Sequence, residues 1–334
     1  MSFVEALVPV EHASKHVLLV PQIPVTALTE LAESWFPGVG WLQEPELVPR
    51  SKPMTGARFR GAQPAQMVTG PGLLGLGAEH SVAGPYLVSP EDAVRFDVGP
   101  GEAAAFALGR TDGSADTRGG RPAAYDDRDG IARAFASGLP EGEELRMVQW
   151  AVAVARKLGG VVLTDGGDQL RPDPAASVDL SLFASHALPP AEMLTMIRSI
   201  IATAEVEAES TTPNGTVQYQ VVARTSYDGV LVAHVEHVDR VPRSLGALEW
   251  RSYGPFAYHV AWLPQDTYEL QVEQPSGVHV IARGRMRGLV ARLAAIVQGR
   301  IGGVLVDDGG FVVSQAELER RVATPGASGN RAWV

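Results

Sequence analysis

Two stretches of the chain repeat each other and decide its fold: Ala151–Gly167, AVAVARKLGGVVLTDGG, and Ala294–Gly310, AAIVQGRIGGVLVDDGG. They align without a gap at an offset of 143 residues, and about half of their positions are identical. Solenoid repeats have much shorter periods of about 20–50 residues. The offset is instead the length of a domain, so the sequence predicts a tandem duplication of one domain.

Each copy of the repeat reads as a helix, a strand, a tight turn and a further extended piece. Apolar residues recur at helical spacing up to a Gly-Gly pair, where glycine supplies the left-handed helix end that other residues resist. The β-branched runs Val161–Leu163 and Val304–Val306 follow, and such runs suit buried strands. Asp-Gly-Gly, which favours a tight turn, then reverses the chain.

The two halves also begin alike, with a strand followed by a helix. We predict strands over His16–Pro21 and Ser177–Ser185, and helices over Thr26–Phe36 and Pro189–Thr203. In the second half, apolar and polar residues alternate in two further stretches, which predicts strands with one buried face. These stretches contain Val217, Tyr219 and Val221, and Tyr268, Leu270 and Val272. The predicted class is α+β, with antiparallel sheets and helices on one face of each.

The predicted domain boundary lies where Pro172 and Pro174 interrupt regular structure. Domain 1 covers residues 1–172 and domain 2 covers residues 173–322. Residues 111–130, rich in Gly, Asp and Arg, are expected to form a loop insertion in domain 1. Residues 323–334 are expected to form a flexible tail.

Composition excludes several classes of protein. The formal net charge of -10 disfavours nucleic acid and anionic membrane surfaces as partners. The chain has no cysteine, which removes disulfides, thiolate nucleophiles and cysteine-ligated zinc. The sequence has no apolar run of the roughly 20 residues that a membrane helix needs, and its start does not have the pattern of a signal peptide. We therefore expect a cytoplasmic location.

The segment Leu158–Asp165 resembles the closing segment of the C-terminal domain of ZipA, a bacterial division protein. The second copy resembles it too, with Asp307-Asp308 in the turn and Ser314-Gln315 opening a last short helix. The resemblance covers about 30 residues of each half. It implies a ferredoxin-like fold, a split β-α-β arrangement, in each half. In that family an exposed sheet binds a peptide of a partner protein.

Three motifs that carry chemistry elsewhere are interpreted here as structural, so no catalytic, cofactor-binding or metal-binding residue is predicted. The string Gly70–Gly75 fits GxGxxG, but Pro71 removes an amide and no long helix follows. In the cluster His234, Glu236, His237 and Asp239, a strand places two side chains on each face, which does not suit a metal. The carboxylates of the two Asp-Gly-Gly turns are explained by turn geometry.

Two features remain as candidates for binding a protein or peptide partner. Tyr258 and Trp262 share one face of a predicted strand, which is either core or an exposed aromatic surface. Arg283, Arg285 and Arg287 crowd the start of a helix predicted over Met286–Arg300, where the macrodipole favours acids. The alternative for these arginines is a surface cluster that balances an acidic chain.

The leading interpretation is a non-catalytic interaction or scaffold protein that uses one of these two surfaces. The alternative is a small-ligand-binding protein or a hydrolase with a site in the cleft between the domains, because pockets often lie in such clefts. The absence of a recognisable catalytic motif favours the first interpretation.

Overall fold

The computed structural model describes residues 6–49, 66–119, 127–211, 215 and 217–323. The chain divides into two compact units. Unit 1 comprises Met1–Pro122 and Ile131–Pro172, and unit 2 comprises Ala123–Gly130 and Asp173–Val334. The predicted tail, apart from Ala323, lies outside the described residues, as does the middle of the predicted insertion.

Unit 1 contains an antiparallel sheet of seven strands in the order β2-β5-β6-β7-β1-β8-β9, and a separate pair, β3-β4. Its elements in chain order are β1 (His16–Pro21), α1 (Val25–Glu33), β2 (Gly40–Gln43), β3 (Glu46–Pro49), β4 (Gln66–Gly70), β5 (Gly72–Leu76), β6 (His80–Val88), α2 (Pro90–Arg95), β7 (Ala103–Arg110), α3 (Ile131–Ala134), α4 (Gly142–Leu158), β8 (Val161–Leu163) and β9 (Gln169–Leu170). The GxGxxG string, Gly70–Gly75, runs from the last residue of β4 into β5 and is not followed directly by a helix.

Unit 2 contains an antiparallel sheet of six strands in the order β11-β12-β13-β14-β10-β15. Its elements in chain order are β10 (Leu180–Ala184), α5 (Pro190–Arg198), β11 (Glu205–Thr211), β12 (Val217–Arg224), β13 (Val230–His237), β14 (Phe256–Leu263), α6 (Gly277–Ile301), β15 (Val304–Asp307) and α7 (Gln315–Ala323). The mixed α+β class with two antiparallel sheets is thus as expected from the sequence.

One predicted strand is wrong. The stretch Tyr268–Val272 forms no strand; Thr267–Leu270 is instead a short 3-10 helix. The side chain of Asp266 accepts a hydrogen bond from the backbone N–H of Tyr268, with 2.9 Å between donor and acceptor. This hydrogen bond caps the start of the helical turn. Side-chain hydrogen bonds of this kind compete with strand pairing, and here the turn forms despite the alternation of apolar and polar residues in the sequence.

The strand orders of the two units match element by element. In unit 1 the first strand, β1, lies between β7 and β8, the strand that follows α4. In unit 2 the first strand, β10, lies in the same way between β14 and β15, the strand that follows α6. In both, the helix after the first strand, α1 or α5, leads to the opposite edge of the sheet. Three strands lie between the first strand and that edge.

The Gly-Gly pair of each repeat has a distinct physical role at each position. Gly159 ends α4 with φ of 72°, and Gly302 ends α6 with φ of 73°, in the left-handed region that favours glycine. A Cβ at Gly160 would overlap the carbonyl oxygen of Leu19 on β1, and one at Gly303 would overlap that of Phe183 on β10. The second glycine therefore lets the chain pass close against the central strand.

The core of unit 2 lies between its sheet and the helices α5, α6 and α7. It contains the largest side chains of one sheet face together with an apolar stripe of α6, among them Tyr219, Tyr258, Trp262, Met286, Val290 and Leu293. We call the opposite sheet surface the outer face. In unit 1 the outer face packs against residues before β1 and around α2, including Leu7, Val8 and Phe96.

Candidate functional site: the outer face of the second sheet

The aromatic residues singled out from the sequence are core residues. Tyr258 is 0% exposed and Trp262 is 3% exposed. The hydroxyl of Tyr258 donates to the carbonyl of His186 at 2.7 Å and accepts from the N–H of Leu188 at 2.7 Å. Burial raises the pKa of Tyr258 to about 12. These two side chains therefore satisfy the core alternative and present no aromatic surface to a partner.

The three arginines of α6 do not form one exposed patch. Arg283 is 6% exposed and forms an ion pair with Asp173. Arg287 donates to the carbonyl of Ser177 at 2.9 Å, and burial lowers the pKa of its guanidinium. Arg285 is about half exposed and lies 3.3 Å from a carboxylate oxygen of Asp228. Of the three, Arg285 is exposed, Arg287 is partly exposed and Arg283 is buried.

A row of polar side chains instead crosses the outer face of unit 2. The strand register places Ser181 opposite His259, His259 opposite His234, and His234 opposite Gln220. These four residues, on β10, β14, β13 and β12, are each partly exposed. We call them the outer-face row. Adjacent members lie on neighbouring strands, where directly opposed side chains are in reach of each other.

The equivalent row of unit 1 is apolar and covered. Val17 pairs with Ala107 on one side and with Leu163 on the other. Ser181 pairs in the same way with His259 and Val306. Leu163 and Val306 are matched positions of the sequence repeat, so Val17 is the counterpart of Ser181. Continuing across the sheet, the register leads from Ala107 to Ala83 and then to Leu73. All of these unit 1 side chains belong to or pack against one buried cluster. The two units therefore differ in polarity and exposure at the outer-face row.

Hydrogen bonds and close contacts connect the outer-face row. The hydroxyl of Ser181 lies 2.8 Å from Nδ1 of His259. Nε2 of His259 lies 3.3 Å from one oxygen of Glu236, and Nε2 of His234 lies 3.6 Å from the other. The two imidazole rings are stacked, with centroids 6.4 Å apart. One carboxylate thus orients both histidines, and the side chains of both are more than a third exposed.

The protonation state of His259 follows from its surroundings. Burial lowers the pKa of its imidazole below the ordinary value, His234 adds to this effect, and Glu236 opposes it. An ionised carboxylate can only accept hydrogen bonds. Nε2 of neutral His259 therefore carries the proton and faces Glu236, which leaves Nδ1 to accept the hydroxyl proton of Ser181.

Part of the outer face is covered by the connection between β13 and β14. Leu245 and Tyr253 of this connection pack on Phe183, Ala257 and Val306. The covered part lies over β10, β14 and β15, and the ring of Phe183 contacts His259 edge to face at 6.3 Å. The outer-face row begins at the border of this apolar cluster and extends over β14, β13 and β12.

The sheet ends beyond the row at an exposed edge strand. All seven residues of β11 are exposed, and β11 occupies the edge of the sheet order. Glu207 accepts from the amide of Gln220 at 2.7 Å, and Arg224 donates to Glu205 and Glu207. An edge strand offers backbone groups to a further strand, and charged side chains on it discourage nonspecific pairing.

A second polar cluster lies in unit 1. His16 is buried, with Nε2 3.2 Å from an oxygen of buried Glu144, and its Nδ1 accepts from the N–H of Asp165 at 3.1 Å. Arg118 binds both Glu144 and Asp165. The hydrogen bonds of Glu144 to His16 and Arg118 outweigh its burial and lower its pKa. The cluster ties the segment around Arg118 to α4 and to the first Asp-Gly-Gly turn, which is a structural task.

A third cluster surrounds the second Asp-Gly-Gly turn. Ser177 donates to Asp308 at 2.5 Å, and Arg128 lies 3.7 Å from the same carboxyl group. Nearby, Asp179 accepts from the N–H of Trp262 at 2.9 Å, and burial raises the pKa of Asp179 to about 6. Ser177 is buried, and its hydrogen bond to Asp308 holds the turn against the start of the unit.

The metal-capable cluster considered in the sequence is divided by the sheet. His234 belongs to the outer-face row and Glu236 lies beside it on the same face of β13, near His259 of the neighbouring strand. Among the residues that the structure describes, no group of three His, Asp or Glu side chains is arranged to hold a metal ion. No helix within the described ranges is long and apolar enough to cross a membrane.

Comparison of the chain with protein-family models, with curated proteins and with solved structures finds no match. The candidate site therefore rests on the geometry of the molecule alone. Ser181, His259 and Gln220 were not singled out in the sequence. A polar residue at an otherwise apolar strand position, such as His259 within FAYHVAWL, is the signal that points to them.

Proposed function

We propose that this protein is an interaction or scaffold protein, which binds a protein or peptide partner through the outer face of unit 2. The observation that carries the proposal is the contrast between the two units. At matched positions the outer face of unit 1 is apolar and buried, whereas unit 2 carries the partly exposed outer-face row. A sheet face that is left uncovered in one unit, beside an exposed edge strand, is a place where a peptide can bind.

The edge strand β11 supports a peptide as the partner. It lies two strands from His234, and its outer edge can pair with an extended chain. Side chains of such a chain would extend the outer face beyond Gln220 and Glu207. The resemblance to the ZipA C-terminal domain implies that an exposed sheet binds a peptide of a partner protein, which agrees with a peptide as the partner. A cytoplasmic location remains part of the proposal.

We also propose that the two units descend from one ferredoxin-like domain by duplication. The matched strand orders, the equivalent helices and the two Gly-Gly pairs support this proposal. The split β-α-β arrangement of a ferredoxin-like domain has one strand between the two parallel strands that the helix connects. Each unit here has three strands at that place, so the proposal requires an added pair of strands before the duplication.

The partner proposal predicts that charge introduced into the outer-face row abolishes capture of a specific partner. The variant carries Gln220→Lys and His234→Lys, both at partly exposed positions. Burying new unpaired charges in an interface costs at least about 1.4 kcal/mol, or tenfold in affinity. The measurement is quantitative capture from a lysate of the source cells, with bound proteins identified by mass spectrometry.

The matched control carries Gln315→Lys and Ala316→Lys, two exposed positions of α7, and adds the same two positive charges. Thermal melts establish that both variants remain folded. A partner captured by the intact protein and by the α7 control, and lost with the row variant, supports the proposal. Equal capture by all three proteins contradicts a binding role of the outer-face row.

A small-ligand-binding protein or a hydrolase remains the second candidate. The observation that favours a hydrolase is the contact between Ser181 and His259 with Glu236 behind it. This arrangement has the order of nucleophile, base and orienting carboxylate. These three residues lie on the outer face of unit 2, so this candidate does not depend on a cleft between the domains.

A further inference from the structure

We propose that Ser181 is a nucleophile that accepts an acyl group from activated esters, with His259 as its general base and Glu236 as the residue that positions the base. This goes beyond partner binding, because it requires no partner and concerns covalent chemistry at one hydroxyl. The ligand class is an ester with a good leaving group, such as an aryl ester.

The geometry meets the first requirement of the reaction, which is a base in contact with the nucleophile. Ser181 Oγ and His259 Nδ1 are 2.8 Å apart, within the range for proton transfer. Glu236 at 3.3 Å from Nε2 holds the imidazole in the tautomer whose Nδ1 is free to accept. The side chain of His259 is 38% exposed and Ser181 is partly exposed, so an ester can reach both groups.

The reaction has two steps, acylation of Ser181 and hydrolysis of the acyl-serine. Ser181 Oγ forms a bond to the acyl carbon while its proton moves to His259 Nδ1, and the aryloxide leaves with the electron pair of the broken C–O bond. The imidazolium then returns the proton to the aryloxide. Water, activated in turn by His259, attacks the acyl-serine, and the Ser181 hydroxyl re-forms as the carboxylic acid is released.

The surroundings limit the substrate class to activated esters. Ser181 lies in a central strand that pairs with β14 on one side and β15 on the other. Backbone N–H groups of such a strand are engaged in the two ladders, so they do not form an oxyanion hole as they do at a nucleophile in a turn. Without an oxyanion hole, acylation of Ser181 requires an ester with a good leaving group. Hydrolysis of the acyl-serine has no such leaving group, so we expect this second step to be slow.

The chain contains a matched control within its own sequence. Ser185 also lies 2.8 Å from an imidazole nitrogen, Nδ1 of His186, and both residues are exposed. Among the described residues no carboxylate contacts His186, whereas Glu236 contacts His259. Acylation of Ser181 but not of Ser185 would therefore report the contribution of the positioned base, and not the mere accessibility of a serine.

The test exposes the intact chain to p-nitrophenyl acetate and locates the acetyl group by peptide mass spectrometry. We expect acetylation at Ser181, and a rate lower by on the order of 100-fold in the His259→Gln variant. Glu236→Ala is expected to slow the reaction less, and His186→Gln to leave it unchanged. Because burial lowers the pKa of His259, the rate should rise with pH to a plateau, and the midpoint of that rise should lie below the ordinary histidine value of about 6.5.

Two results would overturn the proposal. One is acetylation of Ser185 as fast as that of Ser181; the other is an unchanged rate at Ser181 after His259→Gln, with the variant shown to be folded by its thermal melt. Neither result affects the partner proposal, because the reaction is measured on the isolated protein and the partner is measured by capture.

Discussion

Replacement of Gly303 with alanine is expected to destabilise unit 2 by about 2–6 kcal/mol. Gly303 has φ of 105°, a conformation that residues with a Cβ rarely adopt, and a Cβ there would overlap the carbonyl oxygen of Phe183. Backbone strain of this kind costs about 1–3 kcal/mol, and forced overlap in a packed interior costs a similar amount again. The measurement is the free energy of unfolding in urea.

Two neighbouring glycines of the same segment provide the controls. Gly299 lies exposed in the last turns of α6 with open space around it, so Gly299→Ala should stabilise the protein by up to about 1 kcal/mol. Gly302 has φ of 73° and ψ of -159°, a conformation that is almost restricted to glycine, but no atom lies within 4 Å of a Cβ there, so Gly302→Ala should cost about 1–3 kcal/mol. A cost for Gly303→Ala no larger than that for Gly302→Ala would contradict the close approach to β10.

Replacement of Trp262 with alanine is expected to destabilise unit 2 by about 3–5 kcal/mol. The indole is 3% exposed, its ring centroid lies 4.9 Å from that of His279, and its N–H donates to the carbonyl of Asp228 at 2.6 Å. The substitution removes this contact area and leaves the carbonyl without its donor. The free energy of unfolding and the thermal midpoint measure the effect.

Trp250 is the matched control for this prediction. It is 56% exposed and contacts the ring of Tyr253 at 5.1 Å between centroids. Trp250→Ala should change the free energy of unfolding by about 0.5 kcal/mol or less. If the two tryptophan variants unfold alike, Trp262 lies on an open surface, and the aromatic face once considered for partner binding returns as a candidate.

The parts of the fold that local chemistry determines could be predicted from the sequence. The repeat correctly indicated a helix that ends at Gly-Gly, a β-branched strand and an Asp-Gly-Gly turn, because each step depends on residues close in the chain. The exact helix ends could not be predicted. Helix α6 begins at Gly277, where Ser276 caps it, nine residues before the predicted start at Met286.

The candidate site could not be predicted, because it depends on strand register. Ser181, His234 and His259 are far apart in sequence, and they share a row only once β10, β14 and β13 are aligned. Alternation along β14 predicts that Tyr258 and Trp262 share one face and His259 the other. Which face is covered depends on α6 and on the connection between β13 and β14, and no local pattern determines that.

The most direct test of the account is site-specific photocrosslinking from the outer-face row. A benzoylphenylalanine replaces Gln220 in one protein and Glu319 on α7 in another, and both are irradiated in a lysate of the source cells. The account predicts one defined partner adduct from position 220 and none from position 319. If position 220 gives no adduct, or if positions 220 and 319 give the same adducts, the outer face of unit 2 is not the binding surface.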